Sequence, residues 1–166
     1  MLKIAITGPE SSGKTTLAKA LSKHFDCPWV PEYARKYLSK KEGVYSQEDL
    51  NSILKGQLEL EEKLTIKNAP FIFCDSDPLV LWIWSNVKFS NVSSEINEAW
   101  LNHHYDLYLL LYPDLKWEFD PLRENKNDRM ELFSLYQEKL KSSRRSYVII
   151  KGEDKLNKAI QTIQNI

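Results

Sequence analysis

A glycine-rich stretch near the N-terminus carries a lysine and a hydroxyl residue at a fixed spacing. Residues 8–15 read Gly-Pro-Glu-Ser-Ser-Gly-Lys-Thr and match the pattern G-x-x-x-x-G-K-[ST]. In such a loop the backbone N–H groups surround an anion, and the helix that follows adds its partial positive charge. The lysine reaches the β- and γ-phosphates, and the hydroxyl of Thr15 can ligate Mg²⁺. The sequence therefore predicts a nucleoside triphosphate site, formed by Gly8, Glu10, Ser11, Ser12, Gly13, Lys14, Thr15 and Thr16.

Four further residues supply the charges that transfer of a phosphoryl group needs. Glu32 follows a short predicted strand and is placed to orient or deprotonate the hydroxyl of an acceptor. Asp75 follows an apolar run and can act as a second metal ligand, directly or through water. Arg123 and Arg129 lie in a polar segment that can close over the transferred group and neutralise its charge. Together with Lys14, these four residues are the candidate catalytic groups of a small-molecule kinase.

Two other classes of protein share the loop but need features that are missing here. Residues 125–128 spell N-K-x-D, the guanine-reading motif of GTPase switches, but they follow a charged segment and not an apolar strand. The D-x-x-G motif expected after the third strand is replaced by Asp-Ser-Asp-Pro at residues 75–78. A motor or DNA-handling ATPase usually needs a chain longer than 166 residues, with elements that span an oligomer. A small-molecule kinase is therefore favoured.

Strands and helices must alternate to bring these residues to one edge of a sheet. Apolar runs predict strands at residues 2–6, 28–31, 71–74, 107–111 and 147–150. Six helices are predicted: Thr15 to Phe25, a capping box at 46–49 to about Lys67, Pro78 to Ser85-Asn86, one that begins at about Ser93, one that begins at Asp128, and 156–163. The helix that begins at Asp128 is expected to carry Met130, Phe133 and Leu140 on one apolar face.

This alternation predicts an α/β fold, a five-stranded parallel sheet with helices on both faces, as in P-loop NTPases of the nucleoside/nucleotide kinase type. Ligands of such a sheet bind beyond the carboxyl ends of its strands. We expect residues 1–166 to form a single kinase domain. Residues 113–129 are rich in charge and contain prolines, so they are predicted to form an exposed, mobile, lid-like loop.

Composition narrows the setting of the protein. The 23 basic residues balance the 23 acidic ones, which argues against nucleic acid or an anionic membrane as a partner. The longest apolar run, Leu79–Trp84, is too short to span a membrane. Cys27 and Cys74 form no C-x-x-C pair. The N-terminus reads as a strand and not as a signal peptide, so we expect a cytoplasmic protein that acts on a small molecule.

Several motifs occur together in an order and spacing that resemble one family. They are the loop at 8–15, Glu-Tyr-Ala-Arg at 32–35, Cys-Asp-Ser-Asp at 74–77, residues 105–111, Trp117, Asp-Pro-Leu-Arg at 120–123 and Asp-Arg at 128–129. The chain resembles the ribosylnicotinamide kinase domain of NadR-type proteins, as a stand-alone P-loop kinase, over nearly its whole length. The loop is generic, whereas the E-Y-x-R, D-[ST]-D and W…D-x-L-R motifs are more specific.

The resemblance implies a reaction and roles for particular residues. Members of the family phosphorylate the 5′-hydroxyl of nicotinamide riboside with ATP, giving nicotinamide mononucleotide. By resemblance, Glu32 or Asp75 faces this hydroxyl, and Arg35 and Asp77 contact the ribose diol or a phosphate. The likeness to related kinases also places the backbone around Gly152 beneath the adenine.

An electron-poor pyridinium ring is matched by aromatic faces. Tyr33 and Trp117 are expected to bind it, with Trp29 and Tyr45 as alternatives, whereas Trp82, Trp84 and Trp100 are expected in the core. Some members of the family carry a tryptophan where this chain has Pro31, so its ring clamp can differ.

Two other functions stay open at this point. One is a kinase for a different nucleoside or small alcohol, and the other is a non-catalytic regulator that binds ATP. His103 and His104, with Asp106 nearby, could suggest a metal site, but they precede the fourth strand and so lie away from the predicted active edge.

Overall fold

The five strands of the computed structural model are β1 (Leu2–Thr7), β2 (Trp29–Val30), β3 (Phe71–Asp75), β4 (Leu107–Leu111) and β5 (Tyr147–Ile150). The structure describes residues 1–41, 44–65, 68–120, 123–124 and 127–166. The strands form one sheet in the order β2-β3-β1-β4-β5, and each neighbouring pair is parallel. The predicted five-stranded parallel sheet is confirmed.

The order of the strands places a crossover beside the glycine-rich loop. Strand β1 pairs with β3 on one side and with β4 on the other. The chain after β1 builds one half of the sheet and then passes across β1 to build the other half. Ligands of open α/β sheets bind at the carboxyl ends of the strands where the order reverses in this way. The loop that follows Thr7 therefore lies at the expected ligand edge.

Seven helices cover the sheet in the described part of the chain. They are α1 (Lys14–Phe25), α2 (Tyr33–Leu38), α3 (Gln47–Leu64), α4 (Pro78–Phe89), α5 (Ser94–Asn102), α6 (Arg129–Ser142) and α7 (Lys155–Gln164). Buried residues of α1 and α7 form one core with the sheet, and those of α4, α5 and α6 form the core on the opposite face. Helices on both faces are thus confirmed.

Alternation along the strands divides the two cores. Ile4 and Ile6 of β1 join the core of α1 and α7, whereas Ala5 between them joins the opposite core. Leu109 and Leu110 of β4 separate in the same way, because successive side chains of a strand point to opposite faces. Central strands covered on both faces read as continuous apolar runs, which is why the sequence located them.

The capping signals of two helices are confirmed. The backbone N–H of Ser46 donates to Oδ2 of Asp49 at 2.9 Å, which completes the predicted capping box of α3. Helix α3 ends at Leu64, and the predicted end near Lys67 lies outside the described residues. Helix α4 begins at Pro78, as predicted, and Oδ1 of Asp77 accepts a hydrogen bond from the N–H of Leu79 at 2.7 Å.

Three details of the sequence-based prediction were wrong. Helix α2 was not predicted, because its six residues offer too little apolar periodicity to register. Helix α4 runs beyond Ser85-Asn86 to Phe89, since the Ser85 hydroxyl is buried within the helix and donates to the carbonyl of Asn91 at 2.8 Å. Met130 is 48% exposed in the first turn of α6 and does not join Phe133 in the core.

No described helix is both long enough and apolar enough to cross a membrane.

The cap of α6 differs from those of α3 and α4. Asp128 immediately precedes α6, but its side chain makes no capping hydrogen bond.

The ring of Tyr33 in α2 packs against Gly56 of α3. A Cβ on Gly56 would lie 2.2 Å from Cε1 of Tyr33. The ring must move, which costs roughly 1–3 kcal/mol, so we expect Gly56→Ala to lower the free energy of unfolding by a net amount of up to about 2 kcal/mol. This penalty opposes the higher helix propensity of alanine, which favours the variant by about 1 kcal/mol. Urea unfolding, with the exposed Ser52→Ala in the same helix as control, measures the difference. A Gly56→Ala variant at least as stable as the parent protein would contradict the packing.

Candidate active site

The loop at residues 8–13 depends on backbone conformations that favour glycine. Gly8 has φ 132° and Gly13 has φ 93°, and Ser11 between them has φ 55°. A Cβ on Gly8 would lie 2.8 Å from the carbonyl oxygen of Leu111, so this position admits no side chain. The loop leads directly from β1 into α1, which is the strand–loop–helix arrangement of an anion site.

The ammonium group of Lys14 is held inside this loop. Its Nζ donates to the carbonyl oxygens of Gly8 at 2.8 Å and Pro9 at 2.9 Å. Burial lowers the pKa of Lys14 below its ordinary value, although the carboxylates of Glu32 and Asp75 act in the opposite direction. Lys14 thus lies between the phosphate-binding loop and the two acids predicted from the sequence.

A cavity of about 340 Å³ opens beside the loop. Its walls come from the loop itself, from the start of α2, from one face of α4, from the segment before α6 and from α6. The lining residues are Gly8 through Thr16, Glu32, Ala34, Arg35, Val80, Ile83, Trp84, Val87, Lys88, Arg123, Glu124, Leu132 and Tyr136. One end of the cavity is therefore suited to phosphates, and the other end is apolar and aromatic.

Asp75 lies at the end of β3 and is 1% exposed. Neither of its carboxylate oxygens accepts a well-formed hydrogen bond from the described part of the chain. Burial, and then the negative charge of Glu32, raises the pKa of Asp75 to about 6, while the nearby Thr15 hydroxyl lowers it. A buried carboxylate without a donor, beside a threonine hydroxyl, is a donor set that Mg²⁺ prefers. Thr15 and Asp75 therefore fit the predicted magnesium site.

Glu32 precedes α2 and lines the cavity. Its Oε2 forms an ion pair with Nε of Arg35 at 3.2 Å. Nη1 of Arg35 donates to Oδ2 of Asp120 at 2.7 Å. Although burial opposes it, the hydrogen bond with Asp120 and the charge of Glu32 raise the pKa of Arg35. Arg35 therefore joins the acid of α2 to the segment that follows β4.

Three predicted substrate residues lie elsewhere. The ring of Tyr33 packs towards Gly56 of α3 and does not line the cavity. Asp77 is fully buried and caps α4, and burial raises its pKa to about 6. Trp117 donates its indole N–H to Oε1 of Glu10 at 3.1 Å. The geometry thus gives each of the three a structural contact.

The described residues between β4 and α6 contact the glycine-rich loop. Besides Trp117, the N–H of Glu124 donates to Oε2 of Glu10 at 3.0 Å, and the N–H of Glu118 donates to Oγ of Ser11 at 3.1 Å. Nη1 of Arg129 donates to the carbonyl of Leu115 at 2.8 Å and that of Ser11 at 3.3 Å. These contacts hold the described part of this segment against the glycine-rich loop, and its mobility and its action as a lid stay predictions.

The two predicted lid arginines differ in their position. Arg123 lines the cavity, and its Nη1 donates to the carbonyl of Glu118 at 2.7 Å. Arg129, at the first position of α6, uses Nη1 for the backbone carbonyls of the loop and the lid and does not line the cavity. Arg123 is therefore the one placed to reach a ligand.

Sequence reasoning missed the aromatic wall of the cavity. Trp84 was expected in the core; it is partly buried and packs against buried residues of α2 to α5, but it also lines the cavity, as does Tyr136. Nε1 of Trp84 donates to the Tyr45 hydroxyl at 2.8 Å, and Nζ of Lys88 pairs with Glu124 at 2.6 Å. The spacing of Val80, Trp84 and Lys88 at every fourth residue was the signal that one face of α4 points into a site.

The two histidines contact protein side chains: His103 contacts Glu61, and His104 contacts Arg145. Nε2 of His103 lies 2.9 Å from Oε1 of Glu61, which also pairs with Lys3 at 2.8 Å. No group of three potential metal ligands occurs among the described residues.

The structure does not test the N-K-x-D motif at residues 125–128, because residues 125 and 126 lie outside the described part of the chain.

Known structures share the fold across the whole chain. The crystal structure of a NadR protein in complex with NAD and AMP-PNP matches 99% of this chain and 49% of its own, with a TM-score of 0.82 and 20% identity. A deoxyadenosine kinase from M. mycoides matches 99% of this chain and 100% of its own, with a TM-score of 0.70 and 16% identity. These likenesses confirm the kinase-like P-loop fold.

Curated relatives support the same assignment. The trifunctional NAD biosynthesis/regulator protein NadR of Escherichia coli K12 is 28% identical over 159 residues, which are 91% of this chain and 38% of the relative. A cytidylate kinase of Streptococcus uberis is 35% identical over 101 residues, 55% of this chain and 43% of the relative. The chain thus spans about two fifths of the length of these relatives. The resemblance to NadR-type proteins is confirmed. A family described as an AAA domain matches residues 3–155, and the chain belongs to this family.

Proposed function

We propose that the protein transfers the γ-phosphoryl group of ATP to the 5′-hydroxyl of nicotinamide riboside, forming nicotinamide mononucleotide. The observation that carries this proposal is the composition of the cavity beside the glycine-rich loop. The phosphate loop forms one end, the aromatic and apolar residues of α4 and α6 form the other, and Glu32 lies on its wall. A kinase needs this juxtaposition of triphosphate, acid and acceptor.

The phosphate end is assigned to ATP. Loop residues 8–16 hold the triphosphate through their N–H groups, and Lys14 turns from the carbonyls of Gly8 and Pro9 to the β- and γ-phosphates. Thr15 and Asp75 would hold Mg²⁺, which would neutralise charge on the phosphate oxygens. Arg123 neutralises further charge on the transferred group.

Glu32 is assigned to the acceptor hydroxyl. As a carboxylate on the cavity wall it can accept the hydroxyl's hydrogen bond and aim the oxygen at the γ-phosphorus. Arg35 fixes one of its oxygens at 3.2 Å, which leaves the other for the acceptor. Asp75 is more deeply buried than Glu32 and is committed to the metal in this account.

The acceptor's ring is assigned to the aromatic wall. Trp84 and Tyr136 line the cavity, and their faces suit a pyridinium ring by stacking and cation–π attraction. Tyr33 and Trp117, expected in this role from the sequence, pack against Gly56 and Glu10. Two relatives support the choice of acceptor: NadR of Escherichia coli is named for NAD biosynthesis, and one solved NadR protein is in complex with NR.

A second candidate is a kinase whose acceptor is a nucleoside monophosphate. The cytidylate kinases among the relatives favour it, and so do the two arginines of the cavity wall, Arg35 and Arg123, because guanidinium groups bind phosphate well. The pairing of Arg35 with Glu32 and Asp120 argues against this candidate, since it already occupies that guanidinium.

The test is ADP formation from Mg²⁺-ATP with a panel of acceptors: nicotinamide riboside, cytidine, cytidine monophosphate, thymidine, adenosine, shikimate and water. We expect nicotinamide riboside to give the highest kcat/KM. A preference for cytidine monophosphate would replace the proposed acceptor with the second candidate. If no acceptor raises ADP formation above the water blank, the protein is a regulator that binds ATP.

Glu32→Gln tests whether the carboxylate of Glu32 acts in the transfer step and not only in shaping the cavity. We expect kcat for the best acceptor to fall by about 10²–10⁴-fold, because the amide cannot take the proton, while the KM for ATP changes little. Glu59→Gln, an exposed residue of α3, is the control and should match the parent protein. Retention of more than a tenth of the parent kcat would remove Glu32 from this role and leave Asp75 as the candidate base.

A further inference from the structure

Lys155 lies behind the phosphate loop, outside the cavity. It is 9% exposed, and its Nζ donates to the carbonyl oxygens of Ser12 at 3.1 Å and Tyr112 at 2.9 Å. The same atom pairs with Oδ1 of Asp114 at 2.6 Å. These three acceptors match the three N–H donors of an ammonium group. A buried lysine with every donor used is a fixed point of the structure.

Asp114 extends this contact to the turn after β5. Its second oxygen, Oδ2, accepts the backbone N–H of Gly152 at 2.5 Å. Although burial opposes the change, the hydrogen bonds from Lys155 and Gly152 hold the pKa of Asp114 below its ordinary value. The carboxylate thus stays charged and bridges the lysine to the turn.

A second lysine contacts the same turn. Gly152 has φ 89°, a backbone conformation that favours glycine, and Nζ of Lys158 lies beside it. That Nζ donates to the carbonyl of Lys151 at 2.6 Å. The path from Ser12 through Lys155 and Asp114 to Gly152 therefore consists of short polar contacts between elements that are far apart in sequence.

We propose that Lys155 and Asp114 are positioning residues that fix the turn at Gly152 relative to the phosphate loop and so set the spacing between the base and triphosphate sites of the nucleotide. This inference rests on the proposed function, in which residues 8–16 hold the triphosphate, and on the expectation from the sequence that the turn at Gly152 lies beneath the adenine. A nucleotide that contacts both places gains affinity when their separation is fixed in advance.

The two residues should respond differently to substitution. Asp114→Ala cuts only the arm that reaches the turn, so the dissociation constant of ATP should rise about tenfold while that of inorganic triphosphate changes less than about twofold. Lys155→Met also removes the contact with Ser12, so it should raise the dissociation constants of both ATP and triphosphate, and that of ATP more strongly. The double variant should resemble Lys155→Met, because the two substitutions break one chain of contacts.

Isothermal titration calorimetry with Mg²⁺-ATP and with Mg²⁺-triphosphate measures these constants. Asp154→Ala, which removes an exposed carboxylate from the same turn, is the matched control. Asp114→Asn keeps an acceptor for the N–H of Gly152 and should restore part of the ATP affinity. Thermal unfolding of each variant verifies that it is folded at the titration temperature.

The inference would be overturned if Asp114→Ala lowered the affinity for ATP and for triphosphate equally, or lowered neither affinity. The titrations contain no acceptor, so a failure of phosphoryl transfer would overturn the proposed function without changing this result. If the parent protein bound triphosphate and ATP equally well, the base site at Gly152 would be absent and the inference would fail with it.

Discussion

Lys14→Ala is expected to lower kcat by about a thousandfold, the scale of losing one preorganised charge at a transferring phosphoryl group. The ammonium group lies within the phosphate loop, on the carbonyls of Gly8 and Pro9. It also offsets the negative charge of nearby carboxylates, including Glu32 and Asp75. Its removal leaves these charges facing the triphosphate, so the affinity for ATP should fall as well. Steady-state kinetics with the best acceptor, together with ATP titration, measures both effects.

Lys19→Ala is the matched control for this experiment. Lys19 lies in the same helix and contacts the ring of Trp29, away from the cavity lining. We expect its kcat to stay close to that of the parent protein. A Lys14→Ala variant with kcat within tenfold of the parent would show that the loop does not carry out phosphoryl transfer.

Asp75→Asn is expected to reduce kcat by about 10²–10³-fold while stabilising the empty protein at neutral pH. The activity falls because the amide is a poorer ligand for Mg²⁺ than a carboxylate. The stability rises because the carboxylate is buried without a well-formed hydrogen bond from the described residues. Functional groups often reduce the stability of a fold in this way.

The stabilisation should depend on pH. The pKa of Asp75 is about 6 in the folded protein against an ordinary value of 3.8. The folded state therefore binds this proton more tightly than the unfolded chain, and ionisation costs roughly 3 kcal/mol at most above pH 6 and nothing below about pH 4. We expect Asp75→Asn to raise the free energy of unfolding by roughly 1–3 kcal/mol at pH 7.5 and to lose this gain at pH 4.

Urea unfolding without nucleotide or magnesium measures this dependence, because a bound cation would stabilise only the parent protein. Asp154→Asn, at an exposed position, should show no such dependence. If Asp75→Asn raised the free energy of unfolding equally at pH 4 and pH 7.5, or lowered it at pH 7.5, the assignment of Asp75 as a buried, destabilising carboxylate would be contradicted.

Local patterns in the sequence were sufficient to predict the glycine-rich loop and the parallel sheet. The loop is defined by residues that follow one another, and the central strands are apolar throughout because both of their faces are covered. Helix α2 escaped detection since only Ala34 and Leu38 are buried in its six residues, and α3 supplies the surface they pack against. Its stability comes from tertiary contacts rather than from its own periodicity.

The two aromatics chosen from the sequence for the ring do not line the cavity, for a similar reason. Tyr33 lies next to Glu32 in the sequence, but the niche for its ring is made by Gly56, 23 residues further along. Trp84 lies within an apolar run that reads as core, and it reaches the cavity because of the rotation of α4. The contact of Trp117 with Glu10 joins residues 107 positions apart, which no local pattern reports.

The identity of the product tests the central claim most directly. Nicotinamide riboside and Mg²⁺-ATP should yield ADP and one new phosphate monoester, whose ³¹P resonance couples to the 5′-methylene protons of the ribose. The 5′-deoxy analogue of nicotinamide riboside, which lacks the accepting oxygen, should give no ester. Release of inorganic phosphate alone, or an ester on the 2′- or 3′-oxygen, would contradict the account.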